Sequence, residues 1–171
     1  DNDKVGLIVF AGEAYTQLPI TTDFLSARMY LDEISTDMVP TQGTAIGTAI
    51  NMSINSFSTD EEINKAIIVI TDGENHEGDA MEMAKYAKSL GIEVDVIGVG
   101  SLKGAPIPID AKKGEFLKDA SGTPVATYLN EAMAKEIAEA GGGTYINGSG
   151  NKAVDNLIEQ LDKIKKSDLR H

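Results

Sequence analysis

Asp72 and Thr44 are the two side chains whose surroundings in this sequence could support chemistry. Asp72 closes the run Lys65-Ala66-Ile67-Ile68-Val69-Ile70-Thr71 and is followed by Gly73-Glu74-Asn75-His76-Glu77-Gly78. Residues 66–70 are continuously apolar and mostly β-branched, the pattern of a strand buried on both faces of a parallel sheet. Polarity then switches abruptly at Thr71, Asp72 and Gly73, where the carboxyl end of that strand must lie. In open α/β sheets ligands bind just outside the carboxyl ends of the strands. Thr44 ends the loop Gln42-Gly43-Thr44 and precedes a helical pattern. If the sheet is parallel, both loops lie on one edge, and the hydroxyl and the carboxylate can converge. Hard oxygen donors of this kind suit Mg²⁺ or Mn²⁺, ions that keep waters and leave positions for a partner's carboxylate. A helix N-terminus beside Thr44 also favours an anionic ligand. Each residue has a plainer reading too: a Thr before a helix is an ordinary N-cap, and a strand-ending Asp-Gly is an ordinary turn.

The elements that must position these residues follow from periodicity. Val5–Phe10 reads as a buried strand, and residues 15–18 as a short partner strand in a hairpin, ended by Pro19. Thr22 or Asp23 can cap a helix to about residue 34, with Phe24, Ala27, Leu31 and Ile34 on one stripe. A second helix over about 45–57 has Ile46, Ala49, Ile50 and Ile54 as its core face. Asp79 can cap a third, whose buried stripe is Ala80, Met83, Ala84, Ala87 and Leu90 and which Gly91 ends. Residues 92–99 form the next strand. Residues 101–126, with Pro106, Pro108 and several glycines, break the alternation and predict a β-hairpin excursion turning near Ala120-Ser121-Gly122. A helix over about 128–140, a short strand over 144–146 and a last helix over about 152–165 complete the order. Alternating strands and helices predict an α/β fold: a doubly wound, mostly parallel sheet with helices on both faces, in one domain spanning 1–171.

Bulk properties narrow the function. The chain has 171 residues, 15 bases against 27 acids and a formal net charge of −12. A chain so acidic lacks the basic footprint that nucleic acid requires. The absence of cysteine excludes disulfides and thiolate metal sites. No apolar run approaches the roughly 20 residues that span a bilayer. The loop 72–78 fails as a calcium loop, because Glu77 stands where glycine is needed and Met83 where a bidentate Glu is needed. Residues 43–47 lack the Gly-Lys-Ser/Thr ending of a phosphate loop. Two histidines and no Gly-x-Ser-x-Gly leave nucleophile-plus-base catalysis without support.

Taken together, several stretches carry a family resemblance. Lys4-Val5-Gly6-Leu7-Ile8-Val9-Phe10-Ala11-Gly12, Thr16-Gln17-Leu18-Pro19-Ile20-Thr21, Gln42-Gly43-Thr44-Ala45-Ile46-Gly47 and Thr71-Asp72-Gly73-Glu74-Asn75-His76-Glu77-Gly78 resemble the von Willebrand factor type A (vWA) family. The similarity is greatest to its bacterial aerotolerance-type (Bat-like) branch. The resemblance implies a doubly wound sheet bearing a metal-ion-dependent adhesion site (MIDAS). That site combines an Asp-x-Ser-x-Ser loop, a Thr from a second loop and an Asp from a third. Thr44 matches the second part and Asp72 the third, with Gly43, Gly73 and Glu74 in the site loops.

The first part is not matched. The chain opens at Asp1 without Met and enters a strand almost at once. By resemblance the family's first strand and helix are absent, so the chain reads as a piece of a domain. Asp119-Ala120-Ser121-Gly122-Thr123 imitates the missing loop, but it follows no buried strand and reads as a hairpin turn. The missing strand would lie between Val5–Phe10 and the strand at 66–70. Those two strands are expected to leave a slot for another segment or a second chain, allowing self-association; a direct ladder between them would refute this.

The implied function is a non-catalytic protein-interaction module in an aerotolerance- or stress-related bacterial complex. It would bind an acidic side chain of a protein partner through Mg²⁺ or Mn²⁺, with weak metal binding in this piece alone. The parent is expected in the bacterial inner membrane, with this domain outside the bilayer on the periplasmic side and this piece soluble. Two other readings stay open: a Mg²⁺-dependent hydrolase or phosphotransfer domain using Asp72, and a scaffold with a vestigial metal site.

Overall fold

A computed structural model describes residues 3–34, 45–58, 63–73, 79–100, 105–106, 108–110, 112–124, 126–148, 155–156 and 158–159. β1 (Val5–Phe10) and β2 (Ala14–Thr21) form an antiparallel hairpin. β2 does not end at Pro19 as predicted but runs through it. The register slips by one residue between the pairs Val5↔Thr21 and Leu7↔Leu18. A proline has no N–H to give a ladder, and the irregularity is where it can be accommodated.

α1 (Phe24–Asp32) starts where expected. The Asp23 carboxylate accepts the Ser26 N–H at 3.0 Å and the Ser26 hydroxyl at 2.6 Å. Only Ala27 of its predicted stripe is buried; Phe24, Leu31 and Ile34 are exposed. Among the described elements α1 lies against β1 and β2, so a stripe wide enough for a deeper core finds only one sheet to cover.

α2 (Ile46–Ser56), β3 (Lys65–Thr71), α3 (Ala80–Ser89), β4 (Ile92–Gly98), α4 (Glu131–Ala140) and β9 (Gly142–Asn147) build the main layer. The sheet is parallel, in the order β3-β4-β9. Ile67 and Val69 of β3 stand beside Val94 and Val96 of β4, and this face meets Ile46, Ile50 and Ile54 of α2, Ala80, Ala84 and Ala87 of α3, and Ala134, Ile137 and Ala138 of α4. Small alanines on α3 and α4 let the helices approach the β-branched sheet closely. Each fully buried Ile or Val contributes about 1.5–3 kcal/mol.

The opposite face departs from expectation. β3 was predicted to be buried on both sides, yet Ile68 is 37% exposed and Ile70 59%. β3 pairs with β4 and β1 with β2, and the described residues show no ladder between β1 and β3. The missing ladder concerns an edge of β3, whereas Ile68 and Ile70 project from a face: the run is apolar enough for two covered faces, and that face is left partly in water. The last predicted helix, 152–165, lies outside the described residues apart from 155–156 and 158–159, which are helical.

On β4, Asp95 is fully buried. Its Oδ1 accepts the Thr144 N–H at 2.9 Å, and its Oδ2 has no hydrogen-bond partner. The β4–β9 register shifts between Val94 and Val96. The buried carboxylate thus captures a β9 amide where the ladder is irregular.

The predicted excursion is present as a nested hairpin. β5 (Ala105–Pro106) pairs with β8 (Ala126–Thr127), β6 (Pro108–Asp110) with β7 (Glu115–Phe116), and Lys118 bridges to Pro124.

Candidate functional site

The carboxyl edge of β3 is built as the sequence suggested, and it is held by neighbours the sequence did not reveal. Thr71 is buried, and its hydroxyl accepts the Gly73 N–H at 3.1 Å, closing a tight turn around Asp72. Asp72 itself is half-buried. Gly73 has φ +79, and a Cβ there would overlap the backbone carbonyl oxygen of Asn130. Only glycine combines that backbone angle with that approach.

Asn130 is the N-cap of α4: its side-chain oxygen accepts the Met133 N–H at 3.2 Å. Its own N–H donates to the Asp72 carbonyl at 2.7 Å. One residue earlier on the same edge, the Val99 N–H donates to the Thr71 carbonyl at 2.9 Å. The start of α4 and the end of β4 therefore fix two consecutive carbonyls of the Asp72 turn.

Asp79 does something other than the expected capping. It occupies the N-cap position of α3, but its side chain makes no capping hydrogen bond. Its carboxylate lies against Gly47 in the first turn of α2, so closely that a Cβ on Gly47 would collide with it. A negative charge there complements the helix dipole of α2, and it links the start of α2 to the loop that leaves Asp72. The signal in the sequence is the pair of Gly47 and Asp79, which only the tertiary structure brings together.

A second polar cluster lies further along the edge. Tyr145 donates its hydroxyl to Glu131 Oε1 at 3.0 Å, and Asn147 Nδ2 donates to the same oxygen at 3.3 Å. Burial first, then the Glu131 carboxylate, pushes the Tyr145 phenol up to about 12. The Lys135 ammonium stands 5.6 Å from the Tyr145 ring centroid, a cation–π distance.

Of the predicted site residues, Asp72 and Gly73 are where expected; Thr44, Gly43 and Glu74 lie outside the described residues. Asp72 and Asp79 offer hard carboxylate oxygens on the same edge, which suits Mg²⁺ or Mn²⁺ in kind. In number they fall short: no group of three or more His, Cys, Asp or Glu that could hold a metal occurs among the described residues. The described residues thus supply carboxylates of a suitable kind without the number that a metal ion needs. The imitation loop at 119–123 is a closed hairpin turn. Asp119 Oδ1 accepts the Ser121 N–H at 2.9 Å, the Ser121 hydroxyl at 2.6 Å and the Thr123 N–H at 3.0 Å.

Comparisons with known proteins agree with this architecture. The family model for the von Willebrand factor type A domain matches residues 1–140. The crystal structure of BatB, a conserved hypothetical protein from Bacteroides thetaiotaomicron, is 50% identical with a TM-score of 0.91; the match covers 97% of this chain and 81% of that one. An aerotolerance-related membrane protein from Bacteroides fragilis, solved with multiple mutations to serines, is also 50% identical, with a TM-score of 0.87 and the same coverage. A curated relative, an uncharacterized protein of Borreliella burgdorferi, is 27% identical over 165 residues. That match covers 95% of this chain and 47% of the relative, so the chain spans about half of that protein's length.

Proposed function

The chain belongs to the von Willebrand factor type A family, with aerotolerance-related Bat proteins among its near relatives, and from that premise we propose that it is a non-catalytic protein-interaction module. Asp72 and Thr44 would hold a divalent metal together with the family's Asp-x-Ser-x-Ser loop. When bound, Mg²⁺ or Mn²⁺ would supply an open coordination position for an acidic side chain of the partner. The observation that carries this reading is the Asp72 turn: a carboxylate at the carboxyl edge of a parallel strand, with its two flanking carbonyls fixed by Val99 and Asn130. The Val99 bond continues the β3–β4 ladder and the Asn130 bond docks the start of α4, so the turn that presents the carboxylate is held from two sides.

The working context is an aerotolerance- or stress-related bacterial assembly, with the domain outside the bilayer. No helix among the described residues is long and apolar enough to cross a membrane.

The test measures thermal unfolding against Mg²⁺ and Mn²⁺ concentration for this chain joined to an upstream βα unit carrying the Asp-x-Ser-x-Ser loop. A real site stabilises by RT ln(1 + [L]/Kd), so the melting temperature should climb steadily with metal. Asp72→Asn and Thr44→Ala should flatten that response. A joined domain indifferent to both metals would overturn the reading.

A further inference from the structure

Asn130 holds the Asp72 turn through its backbone. Its N–H donates to the Asp72 carbonyl at 2.7 Å, and its own carbonyl oxygen lies where a Cβ on Gly73 would stand. Contacts of this kind are only as well placed as the helix start that carries them. The Asn130 side chain is exposed and turned to capping α4 itself, accepting the Met133 N–H. A tie from the start of α4 to the sheet comes from the next residue.

Glu131 is half-buried, and its Oε1 gathers two donors from β9: the Tyr145 hydroxyl at 3.0 Å and Asn147 Nδ2 at 3.3 Å. Tyr145 reaches it across the end of β4. It pairs with Val96, two residues before Gly98, and residues two apart on a strand share a face. A Cβ on Gly98 would overlap the Tyr145 hydroxyl, so the bare glycine backbone is what the phenol lies over. Thr71 stands beside Gly98, and Gly98 beside Asn147, so the three strands end on one edge. The bonds run along that edge from β9 to Glu131, and Asn130 passes the constraint to the end of β3.

An acid in the first turn of a helix is also what the helix dipole favours. The dipole needs only the charge. It does not account for a phenol and an amide from another element converging on one oxygen, or for a glycine where the phenol crosses.

We infer that Glu131 is a positioning residue for the Asp72 turn. Held by Tyr145 and Asn147, it fixes the start of α4, and Asn130 beside it fixes the backbone of Asp72 and Gly73. The inference rests on the reading of Asp72 as the site's carboxylate. It adds that β9, two strands away in the sheet, sets how firmly that carboxylate is presented.

The test follows amide hydrogen exchange in the chain at Asn130, whose N–H bonds the Asp72 carbonyl, and at Val99, whose N–H bonds the Thr71 carbonyl from β4. Glu131→Ala and Tyr145→Phe should each speed exchange at Asn130 on the order of tenfold, as expected for one lost hydrogen bond to a charged group, with little change at Val99. Gly98→Ala displaces the phenol while leaving Glu131 in place, and should act like Tyr145→Phe. Glu131→Gln keeps an oxygen for both donors and should exchange much as the unmodified chain does. Equal acceleration at Asn130 and Val99 means general loosening and overturns the inference. So does a Glu131→Gln variant as fast as Glu131→Ala with Tyr145→Phe silent, which is the pattern of a dipole effect alone.

Calorimetric titration with Mn²⁺, on the chain joined to the upstream βα unit, separates this inference from the metal reading. Glu131→Ala should bind Mn²⁺ on the order of tenfold more weakly, as removal of a residue that orients a ligand does, and Glu131→Gln about as well as the unmodified domain. Unchanged affinity in Glu131→Ala, despite faster exchange at Asn130, overturns the positioning role. If the unmodified joined domain binds no Mn²⁺, the metal reading falls, and the exchange pattern alone decides whether Glu131 holds the turn.

Discussion

Replacing Gly73 by alanine should be among the most damaging single-methyl changes this protein can undergo, and the structure shows how much of the damage belongs to the candidate site. Two costs add. The backbone cost comes from φ +79, a conformation that penalises an L side chain by about 1–2 kcal/mol. It is partly offset, by about 0.4–1 kcal/mol, because alanine also restricts the unfolded chain. The contact cost comes from Asn130: its carbonyl oxygen occupies the place a Cβ would take. Either the turn or the start of α4 must move, which strains packing by about 1–3 kcal/mol. The 2.7 Å bond from the Asn130 N–H to the Asp72 carbonyl is then stretched or lost. The expected total is about 2–4 kcal/mol, and for a chain of this size each kcal/mol lowers the melting temperature by roughly 2–4 °C. Gly91 is the internal control. Its φ is +77, almost the same angle, but nothing lies within 4 Å of where its Cβ would be. Gly91→Ala should therefore show the backbone cost alone, about 0.5–1.5 kcal/mol after the same offset. Thermal and urea unfolding of both variants isolates the contact. If Gly73→Ala costs no more than Gly91→Ala, α4 is not docked on the Asp72 turn and the account of a turn held from two sides fails.

Two further outcomes follow from buried polar groups. Asp95→Ala should destabilise the fold by about 1–3 kcal/mol in urea unfolding, because the hydrogen bond from the Thr144 N–H to a buried carboxylate is lost; Asp95→Asn, which keeps a carbonyl oxygen in place, should cost less. For Tyr145 the folded-state pKa is raised to about 12 by burial and by Glu131, against an unfolded value of about 10. The stabilisation this represents is complete below about pH 10 and is lost as pH climbs toward 12. Tyr145→Phe should flatten that part of the stability profile, while tyrosinate absorbance places the missing titration at high pH.

The order of elements, the core face of α2, the cap of α1 and the closed turn at 119–123 were all legible in the sequence. Each depends on chemistry local to a few residues: a 3.6-residue period in Ile46, Ala49, Ile50 and Ile54, an aspartate three residues before Ser26, an aspartate two before Ser121. Asp72 was legible for the same reason, since a carboxylate ending a β-branched run announces its own position in an α/β sheet. The family resemblance rested on the same local motifs.

Whatever depended on which element meets which was decided by the tertiary structure. Composition showed that residues 66–70 could be buried on both faces; only the arrangement of strands showed Ile68 and Ile70 uncovered, because burial is a property of neighbours and not of a strand. Asp79 is a plausible N-cap by its place in the chain, but its carboxylate lies against Gly47, 32 residues earlier. Asp95 is one of two acids in β4, with Glu93, until the shift in β9 hands it an amide. The grip of Val99 and Asn130 on the Asp72 turn has no signature in local sequence, since backbone hydrogen bonds are available to almost every residue type. Residue type and local spacing set which residues could do chemistry at this edge. Through long-range packing and backbone hydrogen bonds that no motif encodes, the fold decided which of them are held in place to do it.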